Sequence, residues 1–206
     1  MQEIKVLSAY RKSLRERILD TAMCLFTERG IRAVKMDDIA HALSISKRTL
    51  YEIYDNKEQV LLEGINRLRE AHQRQMEADI GRDANVMDIV LYIYRLKIEE
   101  FHHVNPLFYS DLGRYPKLLE SFRSERERTR QQFLDFMQQG VSEGYFRSDI
   151  NFELVGKLFE VQSDYMMKLE LYRSYPIEEL FRNMLMVSLR GICTKKGVEK
   201  LDTFLA

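Results

Sequence analysis

The sequence has few of the residues that interrupt regular structure. Its 206 residues include three prolines and nine glycines, and the long stretches between them are rich in Leu, Glu, Arg, Lys and Met. This composition favours long helices over a many-stranded sheet. We therefore expect an all-α protein, large enough to bury one sizeable core or a small domain joined to a larger one.

Cysteine is also scarce, and the two that occur are Cys24 and Cys193. Each lies in an apolar helical context, and neither has the neighbouring Cys or His that a zinc site needs. We therefore expect two buried, reduced thiols. Adjacent His102 and His103 point about 100° apart on a helix, and Glu99 with His103 offers only two ligands, so we expect no metal site.

Membrane-spanning segments and common catalytic motifs are missing as well. No stretch approaches the ~18 to 20 consecutive apolar residues of a membrane-spanning helix, and no basic region followed by an apolar run opens the chain. The sequence has no HExxH, no Gly-rich phosphate loop and no nucleophile elbow. We expect a cytoplasmic protein that is not an enzyme and holds no cofactor.

Charge is balanced overall but is distributed unevenly along the chain. The formal net charge is zero, yet residues 1–57 hold 11 Lys and Arg against 8 Asp and Glu, while the remaining residues hold 21 against 24. This mild basic excess at the front agrees with a nucleic-acid contact near the N-terminus.

Hydrophobic periodicity predicts about nine helices. The first has an apolar stripe that includes Leu14, Ile18 and Phe26, and Gly30 follows where a left-handed C-cap belongs. A short second helix stops at Ser44, and the chain restarts at Ser46, an N-cap residue type. The predicted ranges are about 12–28, 36–43, 46–54, 57–80, 86–104, 106–114, 116–144, 152–173 and 176–190.

Two short helices joined by a tight turn and held by a longer first helix form the layout of a helix-turn-helix. In this motif the second short helix, here about 46–53, enters the major groove of DNA. Side chains near its N-terminus reach base edges, and their neighbours bind phosphate oxygens. Lys47 and Arg48 occupy those early positions, and the fork of Arg48 suits guanine O6 and N7.

The stretch from Ile31 to Ile65 resembles the DNA-binding domain of TetR (tetracycline-repressor-like) regulators. The resemblance covers about residues 12–62. It is carried by an Ile-Ala pair in the second helix, by a Ser-x-x-Thr-Leu-Tyr run, and by an aromatic residue followed by Lys-Glu. These residues are Ile39, Ala40, Ser46, Thr49, Leu50, Tyr51, Tyr54, Lys57 and Glu58.

The resemblance implies a set of DNA contacts. Thr49 and Tyr51 are expected to contact phosphate, and Lys57 to do so at the N-terminus of the fourth helix, where the backbone dipoles also favour an anion. Base reading falls to Lys47 and Arg48, although Lys47 could equally bind phosphate. The expected DNA-binding set is Lys35, Ser46, Lys47, Arg48, Thr49, Tyr51 and Lys57.

Four positions depart from the family pattern. Lys35 stands where Ser or Thr usually caps the second helix, so capping is expected to pass to Asp37. Ser44 replaces a frequent Gly in the turn. Ile53 replaces a His or Tyr that often touches phosphate, a contact that Lys35 could supply, and Tyr54 replaces the usual Phe. These changes bear on individual contacts and leave the expected fold intact.

The resemblance also implies two domains and a dimer. We expect a helix-turn-helix domain at 1–56, and a helical bundle at 57–206 that binds a small-molecule effector and forms a homodimer through the last two helices. The two predicted helices within 152–190 are apolar on wide faces, which independently favours a partner chain there. Repression of transcription from a DNA operator is the family's usual mode.

Aromatic and methionine side chains of the second domain are candidates for the effector site, although core packing is the favoured role for any one of them. Two other functions also stay open: a regulator whose second domain binds a protein instead, and, less favoured, a helical enzyme that does not bind DNA. The candidate lining residues are Phe101, Tyr109, Phe122, Phe133, Met137, Tyr165 and Met166.

Overall fold

The computed structural model describes residues 2–81 and 83–205. In this part of the chain all the regular elements are helices. The prediction of an all-α protein is therefore confirmed. Among the described helices, none combines the length and apolar character that crossing a bilayer requires. The α-helices are α1 Gln2–Arg29, α2 Met36–Ala42, α3 Lys47–Tyr51, α4 Lys57–Asp79, α5 Val86–His103, α6 Pro106–Leu112, α7 Pro116–Ser142, α8 Phe152–Lys168, α9 Ile177–Ile192 and α10 Lys195–Leu205, with a 3₁₀ helix at Leu171–Arg173.

The helix bounds differ from the predicted ones at both ends of the chain, and the helix predicted over 152–173 ends at Lys168, before left-handed Glu170. Helix α1 begins at Gln2 rather than near residue 12, and α10 follows the last predicted helix. The sequence-based prediction stopped before α10, an 11-residue helix whose first turn contains Gly197, a residue that disfavours helices. The pair predicted as the last two helices corresponds to α8 and α9.

The chain forms two compact units. The first comprises Met1–Arg74 with Val104–Ser121, and the second comprises Gln75–His103 with Phe122–Ala206. Helix α6 thus belongs to the first unit although it follows α5 in the sequence. Helix α4 runs without interruption from Lys57 to Asp79. The domain boundary expected at residue 56 stays a prediction.

The core of the first unit joins α1, α2, α3 and α4 to α6. Phe26, Ile39, Leu50 and Leu61 are fully buried there. Gly30 ends α1 with a φ of +85°, and a Cβ at this position would lie 2.9 Å from Leu107 Cβ on α6. A glycine therefore satisfies both the left-handed backbone and the close approach of α6.

The core of the second unit lies where α5, α7, α9 and α10 meet. Leu91, Phe146, Leu189 and Leu201 are among its buried members. Short backbone hydrogen bonds connect the segment after α7 to the end of α9 and the segment before α10, including Arg147 N–H to the Ile192 carbonyl at 2.9 Å. An isolated antiparallel bridge at this junction reinforces the contact.

The two cysteines differ in exposure. Cys193 is buried in the second core, and burial raises its pKa to about 11. Cys24 is exposed on α1, and its thiol donates to Glu28 Oε1 at 3.2 Å. The expectation that Cys24 is buried is wrong, because the buried stripe of α1 runs through Ala22 and Phe26 and leaves residue 24 on the other side of the helix.

Candidate nucleic-acid interface

The start of α2 is closed by a carboxylate three residues inside the helix. Asp38 accepts a hydrogen bond from the backbone N–H of Lys35, at 2.7 Å from Oδ2. An acidic side chain at this position can reach back to the N-cap N–H, which would otherwise lack a partner. The expectation that Asp37 takes over the capping is wrong, and Asp37 is left to contact α3.

The turn between α2 and α3 uses a left-handed residue. Ser44 has a φ of +54°, a conformation that costs a non-glycine residue about 1 kcal/mol. The chain then enters α3 through Ser46, whose Oγ accepts from the Thr49 backbone N–H at 3.0 Å. Ser46 and Thr49 hydroxyls also lie 2.8 Å apart. This cap fixes the first turn of a helix that has only five residues.

Helix α3 is anchored from one side only. Leu50 is fully buried, as is Tyr54, three residues after the end of the helix. The other face carries Lys47 and Arg48, both exposed, together with Tyr51, which is 42% exposed. The structure therefore brings together five of the predicted DNA-binding residues, 46–49 and 51, on or beside one short exposed helix, with Lys35 exposed at the start of α2.

Both cations of α3 are paired with carboxylates of the same unit. Lys47 Nζ lies 2.8 Å from Asp37 Oδ1 and 3.0 Å from Oδ2, and this hydrogen bond raises the pKa of Lys47. Arg48 Nε donates to Glu52 Oε1 at 3.1 Å, while its side chain stays 88% exposed. The sequence-based prediction missed Asp37 and Glu52 as partners of these cations, because it considered only the residues that could contact DNA directly.

Lys57 occupies a less accessible position than the sequence suggested. Its half-buried ammonium donates to the carbonyl oxygens of Ile31 at 2.9 Å and Val34 at 2.8 Å, and burial lowers its pKa. Lys57 therefore holds the loop that leads into α2. The phosphate contact implied by the resemblance stays a prediction.

The same loop is held from α6 by Asp111. This buried carboxylate accepts from the backbone N–H of Arg32 at 2.7 Å. Asn105, which caps α6, also donates its backbone N–H to the Thr27 carbonyl at 2.8 Å. No local sequence signal could have shown these contacts, because 79 residues separate Arg32 from Asp111.

An ion pair connects α1 to α4 next to Tyr54. Arg15 Nε donates to Glu63 Oε1 at 2.7 Å, and a second contact joins Arg15 Nη2 to Glu63 Oε2. The guanidinium lies 5.0 Å from the ring centroid of Tyr54. Among the described residues the buried Tyr54 hydroxyl has no hydrogen-bond partner, and burial raises its pKa.

Comparison with known proteins agrees with this geometry. Residues 18–63 match the family model of bacterial regulatory proteins of the tetR family. The HTH-type transcriptional repressor KstR2 of Mycobacterium tuberculosis is 28% identical over 197 residues, covering 90% of this chain and 96% of that protein. KstR2 of Rhodococcus jostii is 30% identical over 146 residues, covering 68% of this chain and 71% of that protein. The chain belongs to the TetR family.

The TetR-family assignment extends to the whole fold. The solved structure of the ketosteroid transcriptional regulator KstR2 of M. tuberculosis matches with a TM-score of 0.54 at 25% identity, covering 88% of this chain and 95% of that one. The protein is accordingly a DNA-binding transcription regulator, and TetR-family regulators bind operator DNA and act as dimers.

The predicted effector residues of this TetR-family protein are distributed over both units. Phe101 meets Phe181 edge-on with ring centroids 5.3 Å apart, and Met137 is buried in the second core. Tyr109 lies on α6 in the first unit, edge-on to Phe108. The others lie along α7 and α8: Phe122 and Met166 are half-buried, and Phe133 and Tyr165 are exposed.

One of these residues, Met166, borders an open groove in the second unit. The groove lies between α8, the 3₁₀ helix and α9, and its volume is about 420 Å³. Its walls are largely apolar, with Asn183 and Gln162 among the polar exceptions. The apolar walls include Met166, Leu171, Tyr175, Leu180, Met184 and Val187.

Proposed function

We propose that this TetR-family protein is a homodimeric repressor that binds a two-fold operator through α3 and leaves it when a small molecule binds the second unit. The observation that carries the proposal is the exposure of Lys47 and Arg48 on a helix fixed from behind by buried Leu50. A rigid helix with exposed cations in its first turn suits insertion into the major groove.

The proposed contacts follow from where each side chain stands on α3. Arg48 is the proposed base reader, because its guanidinium is almost fully exposed and can bond guanine as a fork. Thr49, Tyr51 and Lys35 are the proposed phosphate contacts, which fix the register of the helix without reading sequence. Since a bacterial regulator acts where its operator is, the proposed location is the cytoplasm.

Helix α8 supports a dimer interface on the second unit. Leu154, Leu158, Val161 and Tyr165 are each more than half exposed, and their spacing of four, three and four residues places them on one side of the helix. Val187 on α9 is 71% exposed. An apolar stripe of this kind is typical of a protein interface, and we assign it to the second copy of the chain.

The proposed effector is a small, largely apolar molecule. The groove beside Met166 has the volume and the mixture of apolar walls and few polar groups that small-molecule sites show. A relative that this chain resembles, KstR2 of Mycobacterium tuberculosis, is named a ketosteroid transcriptional regulator, which also suits an apolar ligand. The remaining predicted lining residues stay candidates for the same site.

Selection from a randomised duplex pool, followed by footprinting of the enriched sequence, tests the DNA-binding part. We expect a near-palindrome whose half-sites are about 34 to 36 Å apart on one face of the duplex. Protection that is independent of sequence would contradict the operator assignment. Arg48→Ala is expected to relax the base preference at one position of each half-site, whereas Glu120→Gln on α7 leaves it unchanged.

Titration of sterol-like and fatty-acid-like compounds against the operator complex tests the effector. We expect one class to lower operator affinity and to raise the melting temperature of the free protein, because a ligand that prefers the DNA-free state shifts the equilibrium toward it. If no small molecule does so, and a cellular protein instead releases the operator, the second unit binds a protein partner.

A further inference from the structure

The two cations at the start of α3 stand where a helix does not favour positive charge. Lys47 and Arg48 are the first two residues of α3, whose N-terminal end carries a partial positive charge from the peptide dipoles. Their placement therefore does not serve the stability of the helix. In the free protein each of them lies against a carboxylate, Asp37 for Lys47 and Glu52 for Arg48.

These two ion pairs also contribute little to folding. All four side chains are more than half exposed, and water and salt screen the attraction between exposed charges. The two carboxylates come from different elements, α2 for Asp37 and the residue after α3 for Glu52. Their common feature is that each accepts from a cation that would otherwise be free to meet a phosphate.

The pairing affects two kinds of DNA contact differently. Sequence-independent binding depends on cations that neutralise phosphates and release counterions. A cation held by a carboxylate contributes less to this binding, and the carboxylate repels nearby phosphates. A base edge is read by the geometry of the donors, and a donor group fixed in advance loses less conformational freedom on binding.

The contact to Arg48 leaves its reading edge open. Glu52 accepts from Nε, and within the described part of the chain neither Nη group of Arg48 is bonded. The two Nη groups can therefore form the fork to guanine O6 and N7 while the pair with Glu52 persists. Lys47 likewise has three ammonium donors and can keep Asp37 while another donor points outward.

We propose that Asp37 and Glu52 are specificity-determining residues of the DNA interface, holding Lys47 and Arg48 in pairs that persist on the operator and that suppress binding to other DNA. The inference rests on the proposed function, in which α3 reads the operator. Neither carboxylate needs to touch a base, so both act as positioning residues.

The test compares Asp37→Asn, Glu52→Gln and the wild-type protein on two duplexes. One is the sequence that the wild-type protein enriches from a randomised pool, and the other is a scrambled duplex of the same composition. In each variant we expect affinity for the scrambled duplex to rise by up to about fivefold at low salt, the factor that one charge pair ~4 Å apart contributes in water before salt screens it. The salt dependence on that duplex should steepen by roughly 0.9 per cation freed. Operator affinity should stay within about twofold, so that the specificity ratio falls.

The matched control is Asp20→Asn, which removes the same charge from the same unit. Asp20 pairs with Arg67 at 3.0 Å, where α1 meets α4, and its side chain has an exposure similar to that of Asp37. This variant should leave the specificity ratio unchanged. A purely structural role for Asp37 or Glu52 would lower both affinities, and a gain on the scrambled duplex separates the two roles.

Two results would overturn the inference in different ways. If the wild-type protein enriches a sequence but the operator and scrambled affinities of both variants move by the same factor, the carboxylates act through net charge alone and the inference fails. If the wild-type protein enriches no sequence, the proposed function is wrong, and the inference, which depends on it, is wrong as well.

Discussion

In the first unit the exposed face of α3 is polar and charged, whereas the second unit exposes a stripe of large apolar side chains. Of the 13 exposed large apolar side chains in the described part of the chain, 10 belong to the second unit. In the first unit the apolar anchors, such as Leu50 and Tyr54, are buried, and charges face outward. Polar exposure suits DNA, and apolar exposure suits a second protein chain or an apolar ligand.

The largest expected effect comes from placing a charge on the apolar stripe of α8. Val161→Glu should prevent dimerisation, because burying an unpaired carboxylate in an apolar interface costs several kcal/mol. Operator affinity should then fall roughly hundredfold, since the two half-site contacts are no longer linked. Sedimentation equilibrium and operator titration measure the two effects.

Gln132→Glu on α7 is the control for Val161→Glu. It adds the same charge to another exposed helical position of the second unit, and both the dimer mass and operator affinity should be unchanged. A Val161→Glu protein that remains a dimer would show that the exposed stripe of α8 is not the interface. The contrast between the two units would then have another cause.

An effect of intermediate size is expected from Lys57→Met in the first unit. The substitution keeps the apolar stem and removes the ammonium, leaving the Ile31 and Val34 carbonyls without their donor. We expect the free energy of unfolding to fall by about 2 kcal/mol, as for other buried polar groups that lose a partner. Urea denaturation of the two proteins measures the difference.

Lys35→Met gives the comparison for Lys57, because Lys35 is an exposed cation at the start of α2. Its stability should change by less than about 0.5 kcal/mol, while affinity for all DNA sequences falls and the salt slope decreases by roughly 0.9. If Lys57→Met instead leaves stability nearly unchanged and weakens binding to all DNA sequences, the Lys57 ammonium leaves the Ile31 and Val34 carbonyls and contacts a phosphate, as the family resemblance implies.

The sequence predicted best what short-range signals control. The Ser46 cap and the periodicity around Leu50 placed the start of α3 correctly, because both signals lie within a few residues of what they determine, whereas the helix ends at Tyr51 and not at Tyr54. Capping by Asp38 rather than Asp37 shows the limit of such signals, since adjacent acidic residues look alike until one of them pairs with α3. The buried carboxylate of Asp111 was missed because its partner lies far away in the sequence.

The C-terminal half was harder to predict for a related reason. Its helices were recognised, but apolar periodicity does not distinguish a core from an interface or a ligand site. Tyr165 and Met137 had similar standing as candidate ligand contacts, yet the first is exposed on α8 and the second is buried in the core. Only the packing of helices distant in sequence separates these roles.

The smallest expected effect tests the departure at Tyr54, where the family usually has Phe. Because the buried Tyr54 hydroxyl has no partner among the described residues, Tyr54→Phe should raise the free energy of unfolding by about 1 kcal/mol. Tyr51→Phe removes an exposed hydroxyl instead, so stability should stay the same while affinity for all DNA sequences falls. Thermal denaturation and DNA titration of both variants measure these effects. A Tyr54→Phe protein less stable than the wild type would show that the hydroxyl is bonded in solution, with the neighbouring Arg15–Glu63 pair as its partner.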